Sequence, residues 1–225
     1  MQKLVRGLHA FQRGYFATHQ QLFHQLATAG QHPETLFITC CDSRVVPTLI
    51  TDAPPGELFI VRNIGNIVPR SDLPGGTSAA IEYAVTVLGV DNIIVCGHTQ
   101  CGAMQALLHP EAVAELEFVR RWVAQADRVR TTIRDSYSHL SETAQLAAAV
   151  QENVLVQLEN LRDFPCVKAR LEAGTLLVSG WVFDLETGQV FDFDPTRGEF
   201  LTLPPPDQQS GAADQAAPSP LAGPR

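Results

Sequence analysis

The 225 residues carry a formal net charge of −8, with 45% hydrophobic and 18% charged side chains. That length fits one large α/β domain, or one domain with appendages, and the composition belongs to a globular chain able to bury a core. The negative balance argues against nucleic acid as the main partner, because phosphate wants a basic surface, and no apolar stretch approaches the roughly 20 residues of a bilayer span.

The opening MQKLVRGLHAFQRGYF has neither the apolar run nor the small-residue cleavage site of a signal peptide. A cytoplasmic chain is therefore expected. Its five cysteines, an odd number, suit a reducing compartment better than a disulfide framework. Residues 1–29 read as an N-terminal helical arm, with Leu4, Leu8, Phe11, Tyr15, Leu22, Phe23 and Leu26 mostly at helical spacing and a break expected near Gly14. TLFITC, GELFIVRN and NIIVCGH then read as short buried strands, and GGTSAAIEYAVTVLG as a glycine-led helix between the second and third. Strand, helix and strand in alternation predict parallel pairing with right-handed crossovers. Residues 111–163 hold two amphipathic helical stretches, and TLLVSGWVFDLETGQVFDFD predicts two strands turning at Thr187 and Gly188. The fold class expected is α/β, a mostly parallel central sheet flanked by helices, with the N-terminal arm and a C-terminal edge hairpin. Residues 1–203 form the domain; 204–225, rich in proline, alanine and glutamine, are expected to be a disordered tail.

The chemistry concentrates at two strand ends. TLFITC finishes at Cys40, and NIIVCG finishes just before HTQC, which opens the next helix. In an open parallel sheet, ligands gather outside the carboxyl ends of strands, so Cys40, His98 and Cys101 can converge despite their separation in sequence. Two thiolates and one imidazole make a tetrahedral Zn²⁺ set with its fourth position open, the pattern of a catalytic zinc. Thiolate softness disfavours magnesium and calcium. Such an ion acidifies water into a nucleophile. On an extended segment Cys40, Asp42 and Arg44 would share one face while Cys41 points away. Arg44 would then hold the Asp42 carboxylate off the metal, leaving it to orient the attacking oxygen. Cys41, Cys96 and Cys166 read as small packing residues. No role falls to His9, His19, His24, His109 or His139.

CCDSR followed by GHTQCGA resembles the paired signature of the β-class carbonic anhydrases, and GELFIVRNIGN, GGTSAAIEYAV and SGWVFDLETGQV resemble that family's supporting segments. The resemblance covers residues 1 to about 203. It implies Cys40, His98 and Cys101 as zinc ligands, Asp42 and Arg44 as a gating pair, and reversible hydration of CO₂ to bicarbonate and a proton. By similarity to the plant-like branch, Gln31, Phe59, Ile64, Tyr83 and the backbone N–H of Gly102 would line the substrate pocket, part of it supplied by a neighbouring subunit of a homodimer or larger homo-oligomer. Phe37 stands where another branch has a tryptophan that helps bind an inhibitory bicarbonate, so no such inhibition is expected, although Arg62 is present.

The opening segment and the motif YSHL are most similar to cyanobacterial carboxysomal members. That implies work for carbon fixation in a carboxysome, docked to a shell-scaffold protein, but only a short tail follows Leu203. Two competing readings keep the fold: a zinc-stabilised non-catalytic adaptor, and a hydrolase of a CO₂-like molecule such as CS₂ or COS.

Overall fold

β-branched and aromatic residues in TLFITC form strand β1, Thr35–Cys40, which is the second strand of a six-stranded sheet. The computed structural model describes residues 1–203, so the tail expected from residue 204 lies outside the described residues. The other strands are β2 Leu58–Asn63, β3 Asn92–His98, β4 Leu177–Phe183, β5 Val190–Asp194 and β6 Glu199–Thr202, in the order β2-β1-β3-β4-β5-β6. β2, β1, β3 and β4 run parallel, and β5 and β6 add antiparallel pairs at one edge. Leu36, Phe37, Ile38 and Thr39 of β1 are fully buried. A parallel strand covered on both faces reads as a continuous apolar run, which is how this one reads in the sequence.

The helices are α1 Gln2–Phe11, α2 Gln20–Ala29, α3 Pro47–Ile50, α4 Gly76–Tyr83, α5 Gly102–Leu108, α6 Glu117–Val123, α7 Asp127–Ser136, α8 Glu142–Arg162 and α9 Pro165–Glu172. α8 lies on β3 and β4. Two strand glycines permit its close approach. A β-carbon at Gly97 would stand 2.9 Å from Val154 Cγ2, and one at Gly180 would stand 2.7 Å from Leu158 Cδ1. No residue of α1 or α2 is buried; Leu4, Leu8, Phe11 and Tyr15 stay exposed on this arm.

Several local expectations change. Gly14 does not break the arm: it sits in a wide π-type turn, Gln12–Phe16, that continues α1, and the backbone departs from helix only at His19. One glycine costs a helix about 1 kcal/mol, too little to stop it alone. The first amphipathic stretch divides into α6 and α7, joined by a tighter turn at Ala124–Ala126. The second is α8, capped by Ser141, whose hydroxyl accepts the Ala144 N–H. α3, α9 and β6 are short elements without a strong period, and the sequence did not predict them. The predicted C-terminal hairpin is β4 and β5, extended by β6.

Candidate metal centre

β1 and β3 are adjacent and parallel, so their carboxyl ends emerge on the same side of the sheet. That brings Cys40, the last residue of β1, beside His98, the last residue of β3. The chain then turns through Thr99 and Gln100, the latter at φ +56°, and delivers Cys101 at the start of α5. A non-glycine residue in that region is uncommon and marks a conformation imposed by its surroundings. Gln100 is held there by its own side chain on Glu186 (2.8 Å) and by Arg44 Nη2 on its carbonyl (3.4 Å).

The sulfur atoms of Cys40 and Cys101 and a ring nitrogen of His98 lie within 4.8 Å of one another, the one such group of metal-ligating atoms among the described residues. All three side chains are buried. Nδ1 of His98 faces the Thr99 carbonyl at 2.9 Å, while Nε2 is buried with no hydrogen-bond partner. A buried ring nitrogen left without a partner is costly, and a cation between it and the two sulfurs would satisfy it. The Nδ1–H to carbonyl bond is also the usual way a ligating histidine has its tautomer fixed. The donor set is soft and fits Zn²⁺. The hydrogen bond from Cys101 lowers the Cys40 thiol, against the opposing effect of burial, whereas the same contact and burial raise Cys101. Cys96, one turn of the pleat away, is pushed up to about 12 by burial and packs as an ordinary core residue.

Asp42 and Arg44 do not lie on an extended segment. β1 ends at Cys40, and residues 42–45 form a turn closed by the Val45 N–H on the Asp42 carbonyl (3.0 Å). Asp42 Oδ1 also accepts the backbone N–H of Arg44 at 3.0 Å, the local bond by which aspartate competes with regular structure. The pair forms nonetheless. Arg44 Nε and Nη2 donate to the two carboxylate oxygens at 2.9 and 2.8 Å, a bidentate clamp that holds the Asp42 carboxyl well below its ordinary range. Asp42 Oδ2 is 3.9 Å from His98 Nε2, so the clamped carboxylate borders the metal-ligating group. Cys41 is exposed, contrary to the expected packing role, because the turn directs it outward.

The remaining predicted residues are placed less closely. The rings of Phe59 and Tyr83 lie with centroids 6.1 Å apart and planes tilted by 31°, Ile64 and Tyr83 are each 44% exposed, and Gly102 is the first residue of α5. Gln31 is exposed on the loop after α2. Phe37 is fully buried, edge-on to Trp181. Two sets of contacts escaped the sequence reading. Arg62 braces the turn by donating to the carbonyls of Cys40 (3.1 Å) and Asp42 (2.7 Å). Gly65, at φ +78°, donates its N–H to Cys40 Sγ at 3.4 Å. The only sequence signal for Gly65 was a glycine between two asparagines after a strand.

A family model described as carbonic anhydrase matches residues 35–190. The chain belongs to the β-class carbonic anhydrases. Their reaction, interconversion of CO₂ and bicarbonate, is thus that of this lyase. It is similar to a curated carbonic anhydrase of Pseudomonas aeruginosa, 47% identical over 204 residues covering 90% of this chain and 92% of that one. A carbonic anhydrase of Synechocystis is 44% identical over 203 residues, 89% of this chain and 74% of the relative. Among solved structures, the β-carbonic anhydrase CcaA superposes with a TM-score of 0.88 at 43% identity, covering 92% of this chain and 93% of that one.

Proposed function

We propose that this carbonic anhydrase hydrates CO₂ with a zinc ion held by Cys40, His98 and Cys101, and that Asp42, clamped by Arg44, orients the attacking oxygen. The observation that carries this is the convergence of two sulfurs and an unpartnered, buried histidine nitrogen beside an ionised carboxylate. Zinc bound there supplies the Lewis acidity that turns water into a nucleophile near neutral pH. The chain supplies the rest. Asp42 Oδ2 accepts a hydrogen bond from the attacking water and directs its free lone pair toward carbon. Arg44 occupies both carboxylate oxygens, so Asp42 orients water and does not itself become a ligand. CO₂ is uncharged, so an apolar wall of Phe59, Ile64 and Tyr83 suits it, and the Gly102 N–H, which as the first helical N–H has no carbonyl within the helix to bond, is suited to receive one of its oxygens. The same small pocket is the reason CS₂ and COS stay as alternative substrates. A non-catalytic adaptor has no use for the Asp42–Arg44 clamp.

The exposed apolar arm supports a homodimer or larger homo-oligomer: Leu4, Leu8 and Phe11 on α1 stay exposed among the described residues. Gln31, at the end of that arm, would complete the substrate pocket of a second copy. A carboxysomal role is carried by the cyanobacterial resemblance of the opening segment. Kinship with Synechocystis and with Pseudomonas aeruginosa is comparable, so the role needs a direct test. Retention on a scaffold protein that is equal with and without residues 204–225 would exclude docking through the tail. The central test is elemental analysis coupled to stopped-flow CO₂ hydration. One zinc per chain with turnover above buffer is expected. Zinc without turnover would favour the adaptor, and turnover without a stoichiometric metal would defeat the ligand assignment.

A further inference from the structure

α8 presents two stripes to the rest of the domain. Val150, Val154 and Leu158 pack on the strand glycines. Asn153, Gln157 and Asn160 form the second stripe, and their side chains hydrogen-bond to the backbone of residues 65–68 and to one another. Asn153 is 1% exposed and Gln157 0%. Buried amides are expensive unless every bond is made, and here they are made in a chain. Asn153 Nδ2 donates to the Gly65 carbonyl (3.0 Å) and Gln157 Nε2 to Asn153 Oδ1 (2.8 Å). Gln157 Oε1 accepts the Val68 N–H (2.9 Å), and Asn160 Nδ2 donates to the Val68 carbonyl (2.9 Å). From the other side, Trp122 Nε1 donates to the Ile64 carbonyl at 2.8 Å.

The last bond matters because of which peptide it grips. The Ile64 carbonyl and the Gly65 N–H belong to one planar unit, so fixing the oxygen fixes the direction of the N–H. That N–H is the donor to Cys40 Sγ. The next carbonyl, that of Gly65, is held by Asn153. No other residue could replace Gly65: its φ is +78°, and a β-carbon would stand 2.8 Å from Ala103 Cβ. The peptide is thus clamped on both sides of its only free dihedrals, and the indole N–H on its oxygen polarises its own N–H toward sulfur.

We infer that Trp122 and Asn153 are positioning residues of the metal site, acting through the 64–65 peptide to set the N–H···S bond on Cys40. This rests on the reading of Cys40 as a metal ligand. A packing role alone would need the indole ring but not its N–H, and would leave the sulfur indifferent to either residue. An N–H donor withdraws electron density from the thiolate and holds it at one place, so it governs both how well Cys40 is preset for zinc and how much charge it donates.

The experiment uses the full chain with Trp122→Phe, Asn153→Leu and, as a control from the apolar stripe, Leu158→Ala. Zinc affinity is measured by competition with a chromophoric chelator. The Co²⁺-substituted proteins are compared by the thiolate-to-cobalt charge-transfer band, and stability by urea denaturation. Trp122→Phe and Asn153→Leu should each weaken zinc between about threefold and tenfold, at or below the low end of the range for outer-shell partners. Both should move the charge-transfer band to lower energy, because a thiolate whose Gly65 N–H donor is less firmly aimed holds its lone pairs less tightly. Leu158→Ala should lower stability with affinity and band unchanged. Wild-type affinity and band in both Trp122→Phe and Asn153→Leu would overturn the inference, as would an equal shift in Leu158→Ala. Trp122→Phe keeps the ring and decides the matter even where Asn153→Leu fails to fold. A wild-type protein that takes up no zinc would defeat the ligand reading itself, a result separable from zinc-binding variants that match wild type.

Discussion

Gly97→Ala probes how closely the fold and the metal site are joined. Gly97 precedes His98 on β3, and the added carbon would meet Val154 Cγ2 at 2.9 Å and Val150 Cγ1 at 3.3 Å. Carbon atoms rest about 3.5–4.0 Å apart, so α8 must withdraw by at least about 0.6 Å. Valine is stiff at χ1 and cannot swing aside. Overpacking of this kind costs roughly 1–3 kcal/mol. Val154→Ala alone removes two buried methyl groups and costs roughly 1–3 kcal/mol as well. Independent effects would sum to roughly 2–6 kcal/mol. In the double variant the new carbon at position 97 occupies the space that Val154 vacates, so the pair should cost only about 1–2 kcal/mol, with a coupling of about 1–3 kcal/mol between them. Urea denaturation of all four proteins at one protein and one zinc concentration measures this. Additivity to within about 0.5 kcal/mol would refute the proposed contact between α8 and the strand that ends in His98.

Cys101→Ser should leave the protein folded and largely free of zinc by elemental analysis, since a neutral hydroxyl is a poor replacement for a thiolate. Asp42→Asn should keep zinc and lose CO₂ hydration by about a hundredfold or more, the scale of a positioned proton acceptor; unchanged turnover in stopped flow would show that the carboxylate orients nothing. Arg44 holds the Asp42 carboxyl below its ordinary 3.8. A depressed folded value stabilises above the unfolded one and loses that stabilisation as pH falls through the folded value. The stability difference between wild type and Asp42→Asn should therefore be flat from pH 5 to 9 and shrink only below about pH 4, as chemical denaturation across a pH series would report. The ring of Phe37 has no N–H to offer an inhibitory anion, so bicarbonate inhibition should be non-cooperative in a steady-state assay.

Periodicity carried the sheet. β1, β2 and β3 are short runs of β-branched and aromatic residues bounded by turn formers, and their alternation with helices required parallel order, which places the ends of β1 and β3 side by side. The clamp of Asp42 by Arg44 was legible because two oppositely charged side chains two residues apart at a strand end have few other partners. Its backbone was not. An extended strand and a turn both bring positions 42 and 44 close, and only the Val45 and Arg44 N–H bonds to Asp42 choose between them. α3 and α9 escaped because elements of 4 and 8 residues have too little period to read.

By itself, then, the order of residues determined the elements long enough to show a period, the parallel topology that follows from their alternation, and the chemical types of the candidate ligating group. Tertiary structure alone decided that His98 presents an unpartnered Nε2, that Gln100 takes a left-handed backbone to deliver Cys101, and that Gly65 points its N–H at Cys40. The physical reason is range. Period and turn chemistry are properties of neighbours along the chain, whereas several bonds that aim the site join residues far apart, 25 positions for Gly65 to Cys40 and 88 for Asn153 to Gly65. Such bonds exist only once elements distant in sequence have packed together.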